Sequence, residues 1–324
     1  MIFDMGPRTS GSLILKEDGF NNPRPFGRLL PMALSEARLE LLEQLKGQEL
    51  HVPDLRLMLS HWPININPEI EGIRATVPRR ILSLSESSQK RKLLAKIDSG
   101  LFSSAWWPGA TLEAGDILSC LALWLFIWDD EIDAEVGDLA GDFEASQTFR
   151  HETIKYISSE LPSTKEYTRT RMGTSAVNVT TFFNEYAYGT SIPVNVLNDP
   201  DMKVLWDQTN IIIWATNDLL SLKKEVAQQT VDSLVPLLYH KHGNLDLAVS
   251  LVVETIENAV KDFDCAAEAL ARKFSDDREL MPRLETYINA CRLNCTGNLN
   301  WSLQTGRYGV SQHNIAGGVT LKLN

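Results

Sequence analysis

An all-α fold, one large helical bundle, is what the 324 residues of this chain predict. Three observations carry that prediction. From Ser87 onward apolar residues recur at helical spacing, strand-like alternation is scarce, and no period of about 20 to 50 residues repeats as it would in a solenoid. Several stretches are also apolar on more than one side, and such helices need neighbours all round, which a bundle supplies.

Residues 1 to about 30 are rich in Gly, Pro, Asn and Ser and read as an arm. A first amphipathic helix fits Met32 to Leu45, with Leu34, Ala37, Leu41 and Leu45 at helical spacing. Pro53, Pro63, Pro68 and Pro78 should hold His51 to Pro78 in turns and extended pieces. Helices are then expected over 87–101, 112–135, 142–160, 163–189, 200–228, 231–241, 244–274 and 278–304. Breaks fall at Pro108-Gly109, Gly141, Pro162, Pro193 and Gly243, whereas Pro282 is tolerable in a first turn. No linker divides the chain. Residues 1–80 are expected as an arm and peripheral helix packed on a bundle of residues 81–324, one domain overall.

Composition narrows the partners. With 44% apolar and 23% charged residues the chain is globular, and 31 basic against 42 acidic side chains leave a formal charge of −11. Such a surface repels polyanions, which excludes a nucleic-acid partner and obliges any anionic substrate to arrive with a local cation. The longest apolar run, Ile117 to Trp128, is broken by Ser119 and covers 12 residues. A bilayer span needs about 20, so the run reads as a buried core helix and no membrane span is expected. The N-terminus has no unbroken apolar stretch of the signal-peptide kind. Cys120, Cys265, Cys291 and Cys295 all fall in helical patterns and read as reduced core thiols of a cytoplasmic protein. Cys291 and Cys295 lack the further ligands of a zinc site, and His240 and His242, beside Gly243, read as a helix end.

Directly after the apolar run stands Asp129-Asp130-Glu131-Ile132-Asp133, and seven of the 14 residues from Asp129 to Asp142 are acidic. Asp129 and Asp133 share one helix face with Ala122, Leu125 and Phe126, so the face runs from apolar to doubly acidic. Two readings fit: a solvated acidic helix end, or convergent carboxylates for a hard ion such as Mg²⁺ that keeps sites open for water or phosphate. Acidic groups at a helix C-terminus oppose the macrodipole, which weighs against mere decoration. A second stripe, Asn217, Ser221 and Glu225, climbs another helix at i, i+4 and i+8 below Asn210, Ile213 and Trp214. It is either an exposed turn with ion pairs or a three-oxygen ligand set, with the longer Glu225 reaching back toward Asn217 and Ser221.

In combination, about 90 residues apart, the two stripes resemble the metal motifs of class I terpene synthases. Asp129-Asp130-x-x-Asp133 is similar to the aspartate-rich motif, and Asn217-Asp218-x-x-Ser221-x-x-x-Glu225 to the second, Asn/Ser/Glu motif. Arg307-Tyr308, with Trp301 ahead of it, resembles the Arg-Tyr pair of the fungal and bacterial members. The likeness covers roughly residues 85 to 312. It implies the helical isoprenoid synthase fold and a sesquiterpene cyclase that ionises farnesyl diphosphate, cyclises the cation to a hydrocarbon or alcohol and releases diphosphate. It further implies three Mg²⁺ ions per site: two on Asp129, Asp130 and Asp133, one on Asn217, Ser221 and Glu225. Lys224, Arg307 and Tyr308 would contact the diphosphate. Arg171 would sense it, with Thr174 and Ser175 as linker and effector at a helix break. Phe126, Trp214 and Trp301 would line the hydrocarbon cavity, with Phe102, Phe182 and Phe183 as further candidates.

Chain-elongating prenyl diphosphate synthases carry two aspartate-rich motifs, so the Asn/Ser/Glu stripe favours cyclisation. A diterpene cyclase and a silent helical binding protein remain the other readings, and a monomer or homodimer is expected.

Overall fold

The structure is a computed structural model, and it describes residues 35–132, 160–313 and 317–324. The expected arm, Asp133 and residues 142–159 of an expected helix lie outside the described residues. In chain order the elements are α1 (Glu36–Leu45), β1 (Glu49–Val52), a 3₁₀ turn (Leu55–Leu57), α2 (Ile70–Leu84), α3 (Ser88–Ile97), α4 (Ser99–Trp106) and α5 (Leu112–Ile132). There follow α6 (Thr164–Thr174), α7 (Val177–Phe182), α8 (Asn184–Tyr188), α9 (Val194–Leu197), α10 (Pro200–Leu220) and α11 (Leu222–Ala227). The chain closes with α12 (Leu234–His242), α13 (Leu245–Lys273), α14 (Leu280–Gln304) and β2 (Val319–Lys322).

Local chemistry cuts several expected helices short. The helix expected over 87–101 breaks at Asp98, which takes a left-handed conformation (φ 50°) while its carboxylate accepts from Leu101 N and so starts α4. The span 163–189 becomes α6, α7 and α8, because Ala176 at φ 59° ends one helical path and begins another. The span 200–228 pauses at Ser221 between α10 and α11. In the other direction, α2 runs straight through Pro78, where turns were expected. Burial overrides the proline there: Ile73 and Ile81 are both in the core. The expected domain division near residue 80 consequently falls inside α2.

Two short strands were not anticipated. β1 pairs antiparallel with β2, Glu49 opposite Lys322, and the buried Leu50, Val52, Val319 and Leu321 alternate with exposed neighbours. The thiol expectation holds by half. Cys291 and Cys295 are buried, whereas Cys120 and Cys265 sit on the outward faces of α5 and α13.

The core is a stack of the longest helices. Asp199 caps α10 by accepting from Asp201 N, and Pro200 occupies its first turn. α13 packs along α10, α14 lies against both α4 and α10, and α4 continues the stack to α5 and α2. Gly297 makes the α14–α4 crossing possible: a Cβ there would run into the Ala105 carbonyl. The same end of α14 is tied to the end of α3, since Trp301 Nε1 donates to Ile97 O (2.7 Å) and Thr305 Oγ1 to Lys96 O (2.8 Å). These ties fix where the chain emerges toward Arg307.

Candidate active site

Arg307 follows the end of α14 and meets the end of α5. Its Nη1 donates to Asp130 Oδ2 (2.8 Å), and its Nη2 to Asp130 Oδ1 (2.6 Å) and Asp129 Oδ2 (3.0 Å). The guanidinium also stacks 5.0 Å from the centroid of Phe126, one turn before the aspartates. Burial works to raise the Asp130 pKa, but the Arg307 hydrogen bonds and charge, helped by Lys224, outweigh it and hold the carboxyl below its ordinary value. Conversely, burial works against the Arg307 cation, and Asp130 keeps it firmly protonated. Asp129 remains about half exposed (52%) while Asp130 is largely enclosed. Lys224 Nζ, from α11, stands 3.7 Å from Asp130 and joins the two acidic stripes.

The second stripe assembles opposite. Asn217 Oδ1 accepts from Arg171 Nη2 (3.0 Å), and Asn217 Nδ2 donates to the Tyr308 hydroxyl (2.8 Å). The pause in the helix at Ser221 turns its hydroxyl to within 2.6 Å of Glu225 Oε1, and Ser233 donates to Glu225 Oε2 (2.8 Å). Burial, and next the charge of Asp218, pushes the Glu225 carboxyl up. Among the described residues Glu225 has no ion-pair partner. Burial also lifts the Tyr308 phenol to about 12, so it stays a hydrogen-bond donor.

Between the stripes lies a polar pocket bounded by Asp129, Asn217, Glu225, Arg171, Lys224, Arg307 and Tyr308. Asp129, Arg171, Asn217 and Tyr308 also belong to a second, aromatic cavity of about 120 Å³ that continues inward. Phe126, Trp214 and Trp301 line it, and so do Phe102 and Trp106. The rings pack tightly: Phe126 and Trp301 stack at 5.0 Å between centroids, and Phe102 meets Trp301 edge-on at 5.2 Å. Thr174, Ser175 and Ala176 form one wall at the helix break, pinned because Ser175 Oγ donates to Asn210 Oδ1 and Asn210 Nδ2 to Met172 O. Phe182 is a correction: it is 73% exposed on α7 and takes no part in the cavity. Phe183 packs against the core outside the cavity.

Sequence reasoning passed over Tyr167 and Asp218. The Tyr167 hydroxyl donates to Asp218 Oδ2 (2.7 Å), and Asp218 Oδ1 lies 3.7 Å from Arg171. A signal was available, since Tyr167 and Arg171 are four residues apart on one helix and Asp218 sits inside the motif itself.

A family profile described as "Terpene synthase family 2, C-terminal metal binding" matches residues 144–262, a stretch that contains Asn217, Ser221 and Glu225. Sesquiterpene cyclase hepA of Aspergillus oryzae is 29% identical, over 84% of this chain and 92% of that protein. Terpene cyclase braA of Annulohypoxylon truncatum is 22% identical, over 84% of this chain and 89% of that protein. The fold matches a solved hedycaryol synthase in complex with nerolidol, at 20% identity and a TM-score of 0.62, over 74% of this chain and 96% of that chain. The chain is thus similar to terpene synthases in sequence and in fold. The expected all-α isoprenoid synthase bundle is therefore the fold of this protein. Among its described residues no helix is long and apolar enough to cross a membrane.

Proposed function

We propose that this chain is a Mg²⁺-dependent sesquiterpene cyclase that takes farnesyl diphosphate. The observation that carries the proposal is the meeting of both oxygen-donor stripes with three cations at the mouth of one aromatic cavity. The donors suit magnesium. Asp129, Asn217, Ser221 and Glu225 offer only hard oxygen, and Glu225 is a buried carboxylate held by two hydroxyls, Ser221 and Ser233, a setting in which a divalent cation relieves the burial penalty. Asp129 would be the first ligand of one set, with Asp130 and, by the sequence motif alone, Asp133 as further members, and Asn217, Ser221 and Glu225 would form the other; three ions in all are proposed. Bound there, magnesium would supply positive charge that stabilises the leaving diphosphate.

The chain's own residues do the rest. Arg171, Lys224, Arg307 and Tyr308 surround the polar pocket as donors for phosphate oxygens, so the carbon–oxygen bond can break with its electron pair leaving on the diphosphate. No side chain is needed as a nucleophile. Thr174 and Ser175 place the helix break against the cavity, where it can respond to what Arg171 binds. Phe126, Trp214 and Trp301 line the cavity that would shelter the allylic cation from water, where a ring face turned to the cation stabilises it by about 0.5–2 kcal/mol.

Incubation with Mg²⁺ and C10, C15 or C20 prenyl diphosphates tests the proposal. Cyclic C15 products with diphosphate release are expected; a C20-only reaction, a lengthened diphosphate, or no turnover overturns it.

Trp301 separates cavity shape from ionisation. Its ring contacts Phe126, Phe102 and Tyr308. Trp301→Leu should shift products toward acyclic and monocyclic compounds, with diphosphate release less affected than by loss of Asn217. An unchanged product profile from a folded variant would assign Trp301 to packing alone.

A further inference from the structure

Arg38 is a charged side chain with only 1% of its surface exposed, on a helix outside the stretch that resembles the family. Its Nε and Nη2 donate to Asp232 Oδ2 and Oδ1, both at 2.9 Å, and Nη1 donates to Ser35 Oγ at 3.2 Å. Asp232 begins a three-residue stretch in which each member reaches the cation site differently. Asp232 borders the polar pocket, Ser233 Oγ donates to Glu225 Oε2 (2.8 Å), and Leu234 N donates to Asp218 Oδ2 (3.0 Å). A buried ion pair is weak support for stability, because desolvation offsets most of its attraction. A bidentate guanidinium does, however, fix a carboxylate in both position and plane. It also occupies a carboxylate that would otherwise add a further charge beside Glu225.

We infer that Arg38 is a positioning residue of the Asn217, Ser221 and Glu225 cation site: it clamps Asp232 and so sets Ser233 against Glu225 and the Leu234 amide against Asp218. The inference rests on the function proposed above. It assigns α1, at the edge of the fold, a part in metal affinity. Outer partners of a ligating carboxylate typically change metal affinity by about 10–100-fold when removed.

The test is the Mg²⁺ dependence of the rise in melting temperature produced by inorganic diphosphate, measured on the full chain and read beside the Mg²⁺ dependence of turnover. Arg38→Gln should raise the half-saturating Mg²⁺ about tenfold or more in both readouts, with Arg38→Lys between it and wild type. Ser233→Ala should move it in the same direction. The double variant Arg38→Gln/Ser233→Ala should show no more than the larger single effect, because both act through one contact. Arg38→Gln with a lower melting temperature but unchanged Mg²⁺ dependence would reduce Arg38 to a structural tie. Tighter Mg²⁺ binding would make Asp232 a suppressed ligand and equally overturn the inference. Should Arg38→Gln fail to fold, wild-type Mg²⁺ dependence in both Arg38→Lys and Ser233→Ala overturns it. A wild-type chain with no Mg²⁺-dependent shift overturns the functional reading itself, and this inference with it.

Discussion

Asn217→Ala should lower turnover by about 10²–10³-fold while helical content stays as in wild type. The amide serves two purposes. Its oxygen accepts from Arg171, and its nitrogen holds Tyr308. Truncation would therefore remove one proposed cation ligand and release two proposed diphosphate donors together. Loss of a single preorganised donor in a transition-state site costs about 2.7–4 kcal/mol, which corresponds to this range. Steady-state diphosphate release by purified variant and wild type, with circular dichroism on both, checks it. Activity within threefold of wild type would reject the second metal site.

Arg307→Gln is expected to act nearly as strongly and to leave a second signature. Arg307 is the only side chain seen to touch both Asp129 and Asp130 among the described residues, and it is itself 8% exposed. Its removal takes from Asp129 the cation it pairs with among the described residues and leaves Asp130 with Lys224 alone, at 3.7 Å. Turnover should fall about 100-fold or more, since a bidentate phosphate donor is lost. The ligand-free protein should also melt at a lower temperature, because breaking an ion pair strands the partner left behind. Arg307→Lys, which keeps the charge but not the planar fork, should recover part of the stability and little of the turnover. A variant that loses turnover without any change in ligand-free melting would show that the Arg307 contacts with Asp129 and Asp130 do not contribute to the resting protein.

The parts of the site legible in the sequence are those written within one helix. Asn217, Ser221 and Glu225 stand four apart across the junction of α10 and α11, and Phe126 and Asp129 share a face of α5, so helical spacing brings each set close. Contacts across the bundle are another matter. Arg307 meets Asp130 from 177 residues away, and Lys224 reaches the same carboxylate from a third helix. Neither pairing leaves a local trace. The helix count erred for physical reasons of two kinds. Asp98 and Ala176 take left-handed conformations that nothing in periodicity announces, and Pro78 is carried through α2 because Ile73 and Ile81 are buried on either side of it. Cys120 and Cys265 follow helical patterns faithfully, yet a pattern does not say which face meets solvent.

In the proposed function, two ligand stripes and a ring of donors from separate segments form a single magnesium–diphosphate site. Arg171, Lys224 and Arg307 are at present held by Asn217, Asp218, Asp129 and Asp130, so a bound cluster must draw them away from these partners together. Thermal unfolding in the presence of Mg²⁺ alone, inorganic diphosphate alone and both tests this most directly. With both present the melting temperature should rise by clearly more than the sum of the two single shifts. A shift with Mg²⁺ alone as large as the combined shift would contradict it.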